Sequence, residues 1–432
     1  MRRTIVALFI LAAMAAPLSA QTSGGLRDLV TDLFRFGNGC TDPVCLSVDG
    51  THGDHYNPAV QTGQFNLINF LTDAIGVSVS NIPISAASGG AIWGRSAQGL
   101  PVRTETSSGP VFAERGQTLG RGRLLFATSM NHFDYRSIRG VPLDGLVLTF
   151  THEDNDPAGL GNPNFESDII EVRTNIGLSV TSITSVLSYG LTDFLDLSVA
   201  VPLVRTSLDG TSEAQIIPFE NPTPHFFGTD ENPLLRVTTS ASGSSTGVGD
   251  IALRLKLGVA NRPGGAFALL GDVRLPTGKE EDFLGAGGTS FSVLGVGSLR
   301  SGAFSPHLNA GYIHRGGEFQ NDAILATVGF DHLMARRMTL AVDLITSWQV
   351  GETKLDFPEP VTVNALVGPS SAVRIIRPTN IPDRRDDIAL ASIGGKIGLS
   401  PAANLLLNTL IPLRQGGLQP NAAWMAGLEF SF

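Results

Sequence analysis

Charge is scarce in this chain. Asp, Glu, Lys and Arg make up 16% of its 432 residues, against the roughly 25% usual for a soluble domain. Aromatic residues are few, at 7%, and there are two cysteines. No basic run occurs, and aromatic and basic residues are not interleaved. With 30 basic against 39 acidic residues, the chain lacks the electrostatic footprint of a nucleic-acid binder. Walker loops and dinucleotide fingerprints in a strand–turn–helix setting are missing, so no cofactor is expected. Past residue 20 no run of eighteen apolar residues exists, and no helical membrane span is expected. What is abundant is glycine, 50 residues of it, in a chain that is 42% hydrophobic. That apolar surface must be covered by something.

The first twenty residues set the compartment. Arg2 and Arg3 precede an apolar stretch from Ile5 to Pro17, and Leu18-Ser19-Ala20 ends in a small residue before Gln21. This is the layout of a secretory signal peptide, and the apolar stretch is shorter than a membrane span needs. No cysteine follows the cut, so a lipid anchor is not expected. Cys40 and Cys45, in Cys-Thr-Asp-Pro-Val-Cys, suit a small disulfide-closed turn in an oxidising compartment. Two free thiols, or a metal site using the nearby His52, Asp54 and His55, are the alternatives.

Residues 21–115 read as a small irregular N-terminal region. Leu26, Leu29, Val30, Leu33 and Phe34 recur at helical spacing, and Phe65, Ile68, Leu71 and Ile75 do so more loosely. A Gly/Asn/His-rich loop separates the two stretches. Short strands are expected near 84–93.

From Gly120 onward the period is two. Leu195, Leu197, Val199, Val201 and Leu203 alternate with Asp196, Ser198, Ala200 and Pro202, and Ile251 to Val259, Phe267 to Leu275 and Met338 to Leu344 behave alike. One face is apolar and the other small or charged. Two architectures produce this pattern. In a soluble sandwich the apolar faces pack on each other. In an outer-membrane barrel they face lipid while the polar faces line the lumen.

The chain's end separates the two. Trp424, Ala426, Leu428, Phe430 and Phe432 alternate up to the last residue, and this segment resembles the signal read by the bacterial barrel-assembly machinery, with Trp424, Leu428, Phe430 and Phe432 as its elements. Tyr189, Phe194, Tyr312, Phe330 and Trp348 recur toward segment ends, as an interfacial girdle requires. The expectation is therefore an all-β, antiparallel transmembrane barrel over residues 116–432.

Strands are expected at 121–138, 168–190, 194–208, 247–260, 265–276, 286–300, 303–315, 321–333, 336–350, 386–399, 402–413 and 420–432. Segment 143–152 is read as an external extension beside the upper part of 168–190. That gives twelve strands, an even number as in single-chain bacterial barrels. Fourteen is the alternative, with 143–152 kept and another strand recruited from 84–113. Short links fall on the periplasmic side, and the long links 209–246 and 351–385 fall outside. Pro202 and Pro306 lie in or near strand patterns, where a ladder donor is lost.

Several short motifs carry a resemblance. Tyr189-Gly190-Leu191-Thr192-Asp193 is followed by Leu195-Asp196-Leu197 and Val201-Pro202-Leu203. Gly247-Val248-Gly249-Asp250 opens a strand and Leu275-Pro276-Thr277-Gly278 closes the next. Over roughly residues 120–432 the chain resembles a bacterial outer-membrane "transporter" family named for a MetA pathway of phenol degradation. The resemblance implies a barrel similar in style to outer-membrane hydrocarbon and fatty-acid channels. Phenol itself is not carried over as a substrate.

Chemistry-bearing residues are sparse. Gly243-Ser244-Ser245-Thr246-Gly247 matches the string of a nucleophile elbow, which belongs between a strand and a helix; here it falls in a stretch read as an external loop. The histidines are scattered over different segments. By parity Arg254, Lys256, Asp272, Arg274 and Asp343 point into the lumen, either satisfying one another or forming an electrostatic constriction. No enzyme is expected. The leading functional reading is passage of small, hydrophobic molecules through a partly obstructed lumen. A closed barrel presenting long loops to partners and a barrel hydrolase are its rivals. The expected surroundings are outer-membrane lipid, the barrel-assembly machinery and a small-molecule solute.

Overall fold

The computed structural model describes residues 25–36, 58–80, 93–95, 101–103, 108–151, 168–217, 226–229, 231–262, 264–317, 320–355, 357, 359–367 and 370–432. The leader and the Cys40–Cys45 pair lie outside these residues, as do 84–92. Two helices come first, α1 (Leu26–Asp32) and α2 (Pro58–Ser80). Strands β1 (Trp93–Arg95) and β2 (Pro101–Arg103) pair only with each other. The wall opens with β3 (Leu124–Ile138), carries the short pieces β4 (Val141–Pro142) and β5 (Leu146–Thr151), and continues through β6 (Ile169–Gly190) and β7 (Leu195–Ile217). A small ribbon of β8 (Phe227–Thr229) and β9 (Asn232–Leu234) leads to β10 (Arg236–Val248), β11 (Ile251–Arg262) and β12 (Gly265–Leu275). Next come β13 (Ser290–Leu299), β14 (Phe304–Arg315), β15 (Ala323–Ala335) and β16 (Met338–Gln349). A hairpin of β17 (Val361–Val367) and β18 (Ser370–Ile376) precedes β19 (Ile388–Ser400), β20 (Ala403–Pro412) and β21 (Leu418–Ser431).

Twelve strands close into a ring, in the order β3, β6, β7, β11, β12, β13, β14, β15, β16, β19, β20, β21 and back to β3, every pair antiparallel. Closure is made by the last strand on the first, with Leu428 opposite Thr128 and Phe430 opposite Phe126. No strand from the N-terminal region enters this ring, so the count is twelve rather than fourteen. β5 pairs with the upper end of β6, Leu146 opposite Thr174, as an external extension should.

The segment 209–246 departs from expectation. Most of it is ladder rather than loop. β7 runs on to Ile217, and β10 returns beside it from Arg236, so that Asp209 faces Ser242 and Glu213 faces Thr238. β10 and β11 are one strand interrupted at Gly249–Asp250: Val248 still pairs with Leu203, and the ladder resumes at Ala252 opposite Ala200. Three residues thus oppose two, one of them Pro202, which has no N–H to give. A bulge is the usual answer to that deficit. Pro306 pairs with Phe330 and lies one residue past the last pair between β13 and β14. The 351–385 link likewise contains a hairpin, β17–β18.

The outer face records where lipid ends. On β7 the outward residues are apolar from Leu195 to Leu203 and then become Arg205, Ser207, Asp209, Thr211 and Glu213. On β6 they are apolar from Tyr189 to Ile183 apart from Ser185, and polar from Thr181 upward. The register joins these changes into one row: Ile183 faces Leu203, Leu203 faces Val248, and Met130 on β3 faces Ile183. One step above lie Thr181, Arg205, Thr246 and His132. Below the row, Leu253, Leu255, Leu257, Phe267, Val293 and Leu308 are exposed large hydrophobics. A sheet face of this kind around a closed ring is stable only against hydrocarbon, and the barrel is transmembrane. No helix among the described residues is long and apolar enough to cross a membrane.

The lumen is filled from the N-terminal side. α1 lies against the inner faces of β10 and β7, where small residues leave room: a Cβ on Gly243 would stand 2.5 Å from a Leu29 methyl, and one on Gly210 would stand 2.6 Å from a Leu33 methyl. α2 buries Ile68, Phe70, Leu71, Ile75 and Val79 in the same cluster as inward residues of β3, β6, β7 and β20. This helix is more regular than the loose apolar spacing of 65–75 suggests. Arg27 ties α1 both to Asp73 on α2 and to Glu280 of the β12–β13 link.

An arginine on the lipid-facing side should be costly and one above the boundary row should not. Leu255→Arg is expected to destabilise the barrel by roughly 2–4 kcal/mol. Ser242→Arg, opposite Asp209, should stay within about 0.5 kcal/mol of the parent. Guanidinium unfolding in phospholipid vesicles checks both, and equal costs would move the lipid boundary.

Candidate functional site in the barrel lumen

Below the helices, residues 108–119 cross the lumen near its lower mouth as a strap without regular structure. Such a segment must satisfy its polar groups on the wall, and it does so strand by strand. The Ser108 N–H donates to the Thr339 hydroxyl at 2.9 Å, and the Gly116 N–H to the Ser298 hydroxyl at 3.1 Å. The Leu119 N–H donates to the Asp196 carboxylate at 2.9 Å. Two charged side chains make the strongest ties. Glu114 receives Lys256 at 3.3 Å and stands 3.6 Å from Arg254, while Arg115 donates to Asp331 at 2.8 Å with both side chains almost fully buried. Thr339, Ser298 and Asp196 all sit near the lower ends of their strands, so the strap spans that end.

Gly190 makes the last crossing possible. A Cβ there would lie 1.9 Å from the Gly120 carbonyl oxygen, and the Gly122 N–H donates to the Gly190 carbonyl at 2.8 Å. Tyr-Gly-Leu-Thr-Asp is thus the turn over which the strap passes on its way into β3.

The second motif pair forms a knot at the bulge. Both oxygens of Asp250 accept backbone N–H groups, from Gly278 at 3.0 Å and Ala286 at 2.8 Å. The Thr277 hydroxyl donates to the Gly249 carbonyl at 2.7 Å and accepts from the Ile251 N–H at 3.0 Å. Gly-Val-Gly-Asp and Leu-Pro-Thr-Gly therefore hold the β12–β13 link against the break between β10 and β11. That link folds inward and buries Phe283 and Leu284.

Between the strap and α2 lies a cavity of about 370 Å³. Its lining is mostly apolar, with Phe70 and Val77 from α2, Phe112 from the strap, and Leu294, Ile313 and Leu410 from the wall. Down one side runs a line of cations. Arg254 donates to Asp272 at 2.6 Å, Arg274 stands 3.6 Å from the same carboxylate, and Arg315 lines the upper part. A second, polar recess of about 400 Å³ shares Asp73 with the first cavity.

All five residues assigned to the lumen by parity are placed on inward positions. Arg254, Lys256, Asp272 and Arg274 share one neighbourhood on β11 and β12. Asp343 stands apart on β16, where it takes a 2.6 Å contact from His307 Nε2. His307 Nδ1 is 3.8 Å from Asp331, so a buried series runs Arg115, Asp331, His307, Asp343. Sequence reading missed His307, Asp331 and Arg315, although the parity of β14 and β15 marks all three as inward. It also missed Glu114 and Arg115, for which no periodicity exists. Trp424, Leu428, Phe430 and Phe432 occupy outward positions on β21 and its end. The Gly243–Gly247 string lies within β10, paired with Leu208 to Val204, rather than in a loop. Ser244 points outward and Ser245 inward, and no strand–turn–helix elbow exists there. No cluster of metal-ligating side chains occurs among the described residues.

No curated protein sequence matches the chain. Among solved structures, the COG4313 outer membrane channel from Pseudomonas putida F1 overlaps 73% of this chain and 98% of its own, at 14% identity and a TM-score of 0.43. A Pseudomonas aeruginosa FadL homologue overlaps 72% and 89%, at 11% identity and a TM-score of 0.26. The outer membrane protease OmpT from Escherichia coli overlaps 72% and 95%, at 9% identity and a TM-score of 0.23. The fold rests on the ladders described above, not on these overlaps. Residues 161–358 match the family model described as "Putative MetA-pathway of phenol degradation", a span that runs from β6 through β16 and contains every motif on which the sequence resemblance stands.

Proposed function

We propose that this protein is an outer-membrane channel of a Gram-negative bacterium, passing small, hydrophobic molecules by diffusion through a partly obstructed lumen. The observation that carries this reading is the cavity of about 370 Å³, mostly apolar, enclosed inside a membrane-spanning ring between α2 and the strap. Its size falls at the low end of small-molecule sites. A space of this size with a largely apolar lining can hold a small hydrophobic molecule inside the barrel. The leader at residues 1–20 supports export. The outward residues Trp424, Leu428, Phe430 and Phe432 support delivery to the membrane by the barrel-assembly machinery.

In this reading residues 21–115 act as the plug, with the periplasmic exit under the strap. Passage requires the strap to shift, and its strongest polar ties are ionic. Breaking one buried ion pair costs roughly 3–5 kcal/mol when its partner is left behind. Arg115 and Glu114 are therefore the residues whose loss should loosen the exit.

The paired substitution Glu114→Ala with Arg115→Ala is expected to raise single-channel conductance in planar bilayers several-fold over the parent, and deletion of residues 21–115 should raise it further. Conductance near zero in all three proteins would defeat the channel reading and favour a closed barrel.

A further inference from the structure

The cavity is amphipathic in an ordered way, and this deepens the channel reading on which it rests. In the wall, Arg274 pairs with Ser290 and Ser290 with Arg315, so the two arginines sit on one row, about 10 Å apart across the intervening strand. Two residues further down, Arg254 pairs with Asp272. Another step down, Lys256 reaches Glu114 of the strap. Cations thus descend the inner wall from the upper part of the cavity to the plug.

Their compensation is uneven. Asp272 is shared by Arg254 and Arg274, and Glu114 by Arg254 and Lys256. Two other carboxylates that line the cavity are engaged elsewhere: Asp73 by Arg27, and Asp386 by both ends of the Arg139 fork at 2.8 Å. Arg315 differs from the rest. Its Nη1 donates to the Asn321 carbonyl at 2.8 Å and its Nη2 to the Ser347 hydroxyl at 3.4 Å. Its Nε is buried without a hydrogen-bond partner. Asp322 Oδ1 accepts the Arg315 backbone N–H at 3.0 Å, but no carboxylate of the described residues pairs with the guanidinium itself within 4.0 Å. A guanidinium held by neutral acceptors at the edge of an apolar chamber is one monoanion short of a matched site. Its fork geometry favours a carboxylate, which can accept two parallel N–H groups.

We propose that the cavity binds small amphipathic monocarboxylates, with the carboxylate on Arg315 and the apolar body against Phe112, Leu294 and Ile313. Arg274, on the same row, adds positive potential beside the site. Gln320 and Asn321, which also line that end, supply neutral polar contacts. The chamber below Arg315 accepts a ring or a short chain. A phosphate monoester would bring a second charge for which Arg315 alone provides no match, and an uncharged hydrocarbon would leave the arginine as it is.

The test is calorimetric titration of the full chain in non-ionic detergent with 3-phenylpropanoate and with its neutral counterpart 3-phenylpropan-1-ol. At low ionic strength the acid is expected to bind at least tenfold more tightly than the alcohol. Arg315→Gln should abolish that preference while leaving alcohol affinity within twofold, and Arg315→Lys should keep part of it. Retained heat-dependent mobility on gels shows that each variant is folded. Equal affinity for acid and alcohol, no binding of either, or an acid preference that survives Arg315→Gln would overturn the proposal. The conductance of the plug variant keeps the two readings apart. Conductance without acid preference removes only the carboxylate site. Acid preference without conductance in any form keeps the site and removes the channel.

Discussion

Hydrocarbon offers a peptide group nothing to bond with, and the whole molecule is arranged around that fact. A strand in lipid must find both neighbours, so the sheet has to close, and it closes by laying β21 on β3. Once closed, the ring fixes everything else by alternation. Each outward residue must tolerate acyl chains, and each inward one must be packed, hydrated or paired. The row of Met130, Ile183, Leu203 and Val248 is where the constraint stops acting. Above it the same strands continue with Ser, Thr and charged residues outside, because water now solvates them.

The inner side solves a different problem. A lumen lined with buried charge requires partners for its ions, and the strap provides several of them. Glu114 and Arg115 are adjacent in sequence and so point to opposite sides of the strap, one to the cations of β11 and the other to Asp331 on β15. The strap is therefore held by matched charge as well as by the burial of Val111 and Leu119. Such a hold is specific in position. The upper lumen is the reverse, with α1 and α2 seated among leucine, isoleucine and phenylalanine.

How much of this could be read from sequence follows from which segments obey a simple period. β7, β11, β12 and β16 alternate cleanly because one side meets lipid and the other a polar lumen, and there both strand and facing direction were legible. β10 was not, for a physical reason: water on its outside asks for Ser and Thr, and α1 on its inside asks for Gly and Ala. The two demands leave no apolar alternation to detect. The strap was opaque because its order comes from partners two hundred residues away, such as Asp331 for Arg115. His307, Asp331 and Arg315 were within reach, since parity alone places them inside. What parity could not supply was which of them would be left without an opposite charge.

The height of the wall is uneven, and this shapes how anything large can approach the rim. From Leu203 to Ile217, β7 extends beyond the lipid boundary for a length on the order of 40 Å if fully extended. β12, two places along, ends at Leu275 after only eleven residues. One stretch of the rim is thus a tall screen, while the wall two strands along it ends far lower. A macromolecule docking against the screen meets a ribbon of serine and threonine, whereas one arriving beside β12 meets a low rim.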